Sequence, residues 1–197
     1  MSNHKPQSSI PAEKGVWLFI YFDLLAFGAL FGTFLYYRSM QPEVFLESQD
    51  ALDVNLATLN TLLLLTSSLF VALAVNRARN SHMEELSGER KIERGLLQGA
   101  FLCGLSFCLI KVIEYMNKFE EGFTLITNDF FMFYFVLTGI HAFHVILGLC
   151  LLGFLIREVS KTQLDFNSIS FIEGSGCFWH LVDLLWVILF PLLYVLN

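Results

Sequence analysis

Charged residues are scarce in this sequence, at 15% of its 197 residues, whereas soluble globular proteins carry about 25%. Hydrophobic residues make up 55% of the chain and include 21 phenylalanines. Positive charge is also in deficit, because 12 lysines and arginines against 18 acids leave a net charge of −6. A surface of that sign repels phosphate backbones, which excludes nucleic acid as a partner. The composition predicts a membrane protein.

Cysteine and proline are rare, with four of each. The cysteines form no Cys-x-x-Cys pair and lie in or beside apolar runs, at Cys103, Cys108, Cys150 and Cys177. This placement favours small buried apolar side chains over disulfides or a cysteine-based metal site. The first fourteen residues are polar and contain no apolar core with a cleavage site, so we predict no cleaved signal peptide.

Five apolar stretches are long enough to cross a bilayer as helices. They fall at about 15–37, 55–76, 95–116, 130–156 and 174–196, and short polar segments join them. Roughly 20 residues rising about 1.5 Å each span a hydrocarbon core of about 30 Å. None shows the period-two alternation of a barrel strand. We therefore predict an all-α, polytopic bundle of five transmembrane helices that forms one domain over residues 1–197.

The distribution of cations predicts which end of this bundle faces the cytoplasm. The N-terminal tail and the second and fourth connections together hold nine lysines and arginines, whereas the opposite end holds Arg38 and Lys118 beside seven acids. Positive residues are enriched on the cytoplasmic side of membranes. The N-terminus is therefore predicted inside and the C-terminus outside. The charged run 84–94 is interpreted as a solvated extension of the third helix.

Seven ionisable residues interrupt the apolar stretches. They are Asp23, Lys111, Glu114, His141, His144, His180 and Asp183. A charged group at mid-membrane costs about 2.5–3.5 kcal/mol, so such residues should face the bundle interior. Lys111 and Glu114 are three residues apart near the outer end of the third span. This spacing predicts an ion pair whose lysine extends outward to the membrane surface.

The last span carries a polar stripe. His180 and Asp183 are three residues apart and share a helix face, and Trp179 and Trp186, seven apart, fall close to the same side. A histidine and a carboxyl group at this depth indicate that this face of the helix contacts a partner inside the membrane and not lipid.

The remaining ionisable residues are predicted to meet. At about 1.5 Å per residue, Asp23, His144 and Asp183 lie within a few Å of one level. Because unpaired burial is costly, we predict a hydrogen-bonded network of Asp23, His141, His144, His180 and Asp183. Three interpretations stay open. The spacings His141-x-x-His144 and His180-x-x-Asp183 suit a metal site, intramembrane acids and histidines also mark proton or ion pathways, and the network could simply tie helices together.

Five short motifs follow one another along the chain. They are Gly15-Val-Trp-Leu-Phe-Ile-Tyr-Phe-Asp23, Leu59-Asn60-Thr61, Glu114-Tyr115 with Gly122-Phe123-Thr124, Thr138-Gly139-Ile140-His141-Ala142-Phe143-His144 with Val145 and Gly148, and Glu173 before Trp179-His180-Leu181-Val182-Asp183-Leu184-Leu185-Trp186. In this order they resemble subunit III of the haem-copper oxidases, and the length resembles the five-helix form of that family.

The resemblance implies an accessory subunit with no catalytic residue, metal or haem of its own. Such a subunit packs on the catalytic subunit I, which carries the haem and the copper or iron, in a bacterial inner membrane. It holds phospholipid in a cleft between helices and supports proton uptake and stability of the complex. Asp23 stands where the family usually has a longer glutamate near that cleft. The resemblance implies that Asp23 and Glu173 take part in lipid binding or proton uptake.

The ending Phe190-Pro191-Leu192-Leu193-Tyr194 departs from the usual oxidase ending and resembles a branch that accompanies nitric oxide reductase. The large subunit of that reductase is therefore a second candidate partner. Pro191 should bend or end the last helix, because it has no amide hydrogen. The alternative function is a free-standing proton-coupled transporter that uses Asp23, His144 and Asp183. A metal-dependent membrane enzyme is a third option.

Overall fold

A computed structural model describes residues 14–84, 90–160 and 166–196, and these ranges contain six helices and one π-helical turn. The helices are α1 Lys14–Met40, α2 Pro42–Asp50, α3 Val54–Glu84, α4 Arg90–Glu120, α5 Asp129–Val159 and α6 Phe166–Phe190, and the π-helical turn is Pro191–Val195.

Five of these helices are long and apolar enough to cross a membrane, which confirms the predicted all-α bundle. The spans are Gly15–Met40, Val54–Arg79, Lys91–Glu120, Asp129–Val159 and Ser168–Val195. They exceed the predicted stretches by a few residues because helical hydrogen bonding continues beyond the last apolar side chain. Which end faces the cytoplasm stays a prediction from the cations.

Helix α4 begins at Arg90, inside the charged run 84–94. Lys91 and Arg94 are exposed, but Glu93 is fully buried. The predicted solvated face is therefore wrong for Glu93, because that position points toward the bundle. Residues 85–89 lie outside the described residues.

The short helix α2 was not predicted from the sequence. Pro42 lies in its first turn, where a missing amide hydrogen costs nothing. Phe45 is buried and packs edge-on against Phe130 of α5, with ring centroids 5.6 Å apart. The side-chain Nε2 of Gln41 donates to Asp129 Oδ2 over 2.8 Å. This end of the bundle is therefore closed by a helix that fastens α1 to α5.

Helix α6 is the central column of the bundle, in contact with α1, α3 and α5. The Trp179 indole is wedged between α4 and α5 against two glycines. A Cβ at Gly104 would lie 2.8 Å from Trp179 Cη2, and a Cβ at Gly148 would lie 2.7 Å from Trp179 Cε3. About two helical turns further along α6, Trp186 packs edge-on against Phe107, with ring centroids 4.8 Å apart. The two tryptophans thereby fix the rotation of α6.

Replacing Gly148 by alanine should destabilise the bundle, because the added methyl group has no space beside the indole. Overpacking of this kind costs about 1–3 kcal/mol. The thermal unfolding temperature of the purified protein in mild detergent measures the effect. Gly153→Ala on the same helix is the control, since a Cβ there meets nothing within 4 Å. Equal unfolding temperatures for the two variants would contradict the wedge.

Candidate functional site

A buried ion pair lies toward the C-terminal end of α4. Lys111 Nζ donates to Glu114 Oε2 over 3.1 Å and to the Tyr194 hydroxyl over 2.7 Å. The Tyr134 and Tyr194 hydroxyls both donate to Glu114 Oε1, over 2.7 Å and 2.6 Å. Lys111 is 4% exposed and Glu114 is 2% exposed. Each charge therefore has hydrogen-bonding partners inside the protein, which buried ions require.

Aromatic rings complete the surroundings of the Lys111 ammonium group. Its Nζ lies 5.0–5.9 Å from the ring centroids of Tyr115, Tyr134, Trp186 and Tyr194. Ring faces attract cations at such distances. The predicted outward reach of Lys111 is therefore wrong: carboxylate, hydroxyl and rings satisfy the ammonium group inside the bundle, so it has no need of the membrane surface.

The last α-helix ends at Phe190, directly before Pro191, as predicted. The chain continues over Pro191–Val195 as a π-helical turn, in which the Leu196 amide donates to Pro191 O over 2.8 Å. This turn carries Tyr194 onto Lys111 and Glu114. Neither Tyr134 nor Tyr194 was selected as a site residue from the sequence, because a tyrosine in an apolar span reads equally well as packing.

Asp23 and His144 join α1 to α5. His144 Nε2 lies 3.0 Å from Asp23 Oδ1, and His144 Nδ1 lies 2.8 Å from Ile140 O. A carbonyl oxygen only accepts, so Nδ1 carries a hydrogen. The contact to Asp23 then holds one further proton, either on the imidazole or on the carboxyl group. In both forms the pair has no net charge, which suits its 11% side-chain exposure.

His180 and Asp183 meet α3 instead of α1. His180 Nδ1 lies 2.7 Å from Ser68 Oγ, and the Ser68 hydroxyl also bonds the Asp183 carboxyl group. Asp183 is buried, whereas His180 is exposed. The predicted common stripe is therefore wrong. Trp179 and Trp186 point into α4 and α5, whereas His180 and Asp183 point toward α3.

His141 stands apart from both pairs. Its ring lies between Phe107 and Trp186, with centroids 5.6 Å and 5.1 Å away. Neither of its nitrogens has a hydrogen-bond partner among the described residues.

The single network predicted for Asp23, His141, His144, His180 and Asp183 is therefore wrong. The bonds of Asp23 lead to α5 and those of His180 and Asp183 lead to α3. Equal depth did bring Asp23 to His144. Depth alone says nothing of rotation, however, and the rotation of α6 turns its polar pair to another side.

In the described part of the chain, no group of three or more His, Cys, Asp or Glu residues could hold a metal ion. The set Ser68, His180 and Asp183 differs from a hydrolase triad, since the acid bonds the serine and leaves the far imidazole nitrogen without support. Glu173 lies at the other end of α6 from the ion pair, with Oε1 3.8 Å from Arg79 Nε.

Comparison with known proteins supplies the family. The model of the cytochrome c oxidase subunit III family matches residues 1–197. The chain belongs to this family. It is 28% identical to the cytochrome bo(3) ubiquinol oxidase subunit 3 of Buchnera aphidicola, over 98% of this chain and 91% of that protein. It is 32% identical to the cytochrome c oxidase subunit 3 of a Synechocystis strain, over 92% of this chain and 74% of that protein.

A third relative of subunit III is longer. The chain is 26% identical to the haem-copper oxidase subunit I+III of Aeropyrum pernix, over 98% of this chain but only 23% of that protein. As a subunit III, the chain is a multi-pass membrane protein and an accessory subunit of a haem-copper complex. This membership does not support the alternative of a free-standing transporter.

Breaking the buried ion pair of this subunit III should be strongly destabilising. Lys111→Met and Glu114→Gln each leave a buried group without its partner, and such changes cost about 3–5 kcal/mol. The combined Lys111→Met, Glu114→Gln variant should lose less than the sum of the single changes. Chemical or thermal unfolding of the four proteins in detergent measures this coupling.

The pair Lys118–Glu121 offers a matched control with the same spacing. Its glutamate side chain is 50% exposed, and Lys118 also donates to Ala51 O. Glu121→Gln should therefore cost no more than about 1 kcal/mol. An effect of Glu121→Gln as large as that of Glu114→Gln would contradict the role assigned to burial.

Proposed function

We propose that this chain packs on the catalytic subunit I of a haem-copper oxidase in a bacterial inner membrane, where it stabilises that subunit and supports proton uptake. The family match over residues 1–197 carries this proposal. The name of the Aeropyrum pernix relative supports the partner, because it joins subunits I and III in one chain. The described polar groups support an accessory role, since they tie helices together instead of converging on a reaction centre.

The support for a proton-related role is the Asp23–His144 contact. It holds one exchangeable proton between two side chains without net charge. Asp23 lies on α1, a helix whose outer faces are largely exposed. A proton on this pair is therefore close to the surface of the isolated subunit.

A cavity supports the proposed binding of phospholipid. It occupies about 560 Å³ between α1, α5 and α6. Its walls include Val16 and Phe19 of α1, Leu147 of α5, and Phe171 and Phe178 of α6. An open apolar space of this kind between membrane helices suits an acyl chain.

The large subunit of a nitric oxide reductase is a second candidate partner. The observation that favours it is the ending Phe190-Pro191-Leu192-Leu193-Tyr194, which in this chain forms the π-helical turn over the buried ion pair. The two partners differ in metal content, so analysis of the complex distinguishes them.

The partner is tested by purification from native membranes in mild detergent with a tag on this chain. We expect a haem-bearing protein of the oxidase type to purify with it, with copper in the preparation. Iron without copper would indicate the reductase. Recovery of the folded chain with no haem protein would overturn the proposal, and proton flux in liposomes containing the chain alone would favour a transporter.

The lipid cavity is tested by filling it. Leu147→Trp should reduce the phospholipid that remains with the purified complex, because the indole occupies the space of an acyl chain. Mass spectrometry of extracted lipid measures the ratio of phospholipid to protein. Ile146→Trp is the control, as Ile146 is exposed on the same helix and outside the cavity. Equal lipid content in both variants would contradict this site.

A further inference from the structure

An exposed histidine lies at the middle of the membrane region. His180 is the thirteenth of the 28 residues in the span Ser168–Val195, and Ser68, its partner, is the fifteenth of the 26 in Val54–Arg79. His180 Nδ1 is bonded to Ser68, and within the described part of the chain Nε2 has no hydrogen-bond partner. The outer edge of this imidazole therefore faces the hydrocarbon region of the isolated subunit.

The exposed ring nitrogen of His180 needs a hydrogen-bonding partner. Whichever tautomer the bond to Ser68 selects, Nε2 then either accepts or donates a hydrogen bond. Acyl chains offer neither a donor nor an acceptor, and lipid headgroups lie at the membrane surface. A transmembrane segment of another protein can bring a polar group to this depth.

The surface around His180 is shaped for close approach. A groove of about 300 Å³ runs between α3 and α6, and small side chains such as Ala72, Gly176 and Cys177 line it. A Cβ at Gly176 would lie 3.0 Å from Val75 Cγ2, so the two helices already touch at its floor. Small residues allow a third helix to pack closely in a membrane.

We propose that this surface, the His180 face (Ser68, Ala72, Cys177, His180 and Leu184), docks a transmembrane helix of the catalytic subunit. That helix presents a hydroxyl or amide group, which can donate or accept, to His180 Nε2 at mid-membrane. The inference rests on the proposed function and adds the contact surface to it. The Arg79–Glu173 ion pair borders the same groove and gives the docked helix a polar boundary at one end.

Photo-crosslinking in the assembled complex locates the contact. A benzophenone amino acid replaces Leu184, which is exposed one turn beyond His180. Controls at similar depth are Leu105 of α4 and Phe143 of α5, each the fifteenth residue of its span and exposed. We expect an adduct with the catalytic subunit from position 184 and none from the controls. Adducts from a control alone, or from 184 only to lipid or to a second copy, would overturn the docking surface.

The hydrogen bond to His180 is tested by substitution. His180→Phe keeps a planar ring without a hydrogen-bonding group, whereas His180→Gln keeps both a donor and an acceptor. Loss of an interhelical hydrogen bond should increase release of this chain from the complex about three- to fifteenfold in a detergent series. His180→Gln and the apolar control Leu105→Phe on α4 should remain close to the unmodified chain. Unchanged release for His180→Phe would overturn the hydrogen bond.

These experiments separate the inference from the function on which it rests. If the unmodified chain purifies with no haem protein, the proposed function fails. If it purifies with the catalytic subunit but crosslinks through α4 or α5, only the docking surface fails. Thermal unfolding of His180→Phe checks its fold, and the crosslinks decide the surface independently of that variant.

Discussion

Hydrocarbon supplies no hydrogen bonds, and this constraint explains the partners of several polar side chains in the bundle. Thr58, Thr66 and Ser106 donate to the carbonyl four residues earlier in their own helices. Larger polar groups reach a neighbouring helix, as Asp23 and His144 do. Lys111 requires the most, namely a carboxylate, a hydroxyl and four rings. The helices of this subunit are therefore joined by specific polar contacts as well as by apolar packing.

Apolar length was sufficient to predict the five spans, and depth along the helices was sufficient to pair Asp23 with His144. Rotation was not predictable, because the spans are apolar on every side and their periodicity does not mark an inner face. Trp179 fixes the rotation of α6 through two glycines that are distant in sequence, and this turns His180 outward. The direction of Lys111 depended on Tyr194, which a π-helical turn brings into reach. Helix α2 was missed because its nine residues are too short and too polar to resemble a span.

The polar sites differ in whether the chain completes them. The Lys111 site is closed, since its charged and hydroxyl groups satisfy one another within the bundle. The Ser68–His180 contact is open, with a ring nitrogen directed away from the protein. The closed site stabilises the subunit by itself, whereas the open site is where we propose that a partner helix docks. Under that proposal, the same residue types serve folding in one place and assembly in another.

The closed site also depends on the last span. Trp186 and Tyr194 both belong to the last span, while Lys111 and Glu114 belong to the third. During synthesis, the third span enters the membrane before these two aromatic residues exist. The lysine and glutamate then have fewer partners until the last span has been made. The last span consequently supplies the final partners of the ion pair, and a chain that stops before it leaves the pair with fewer partners in the bilayer.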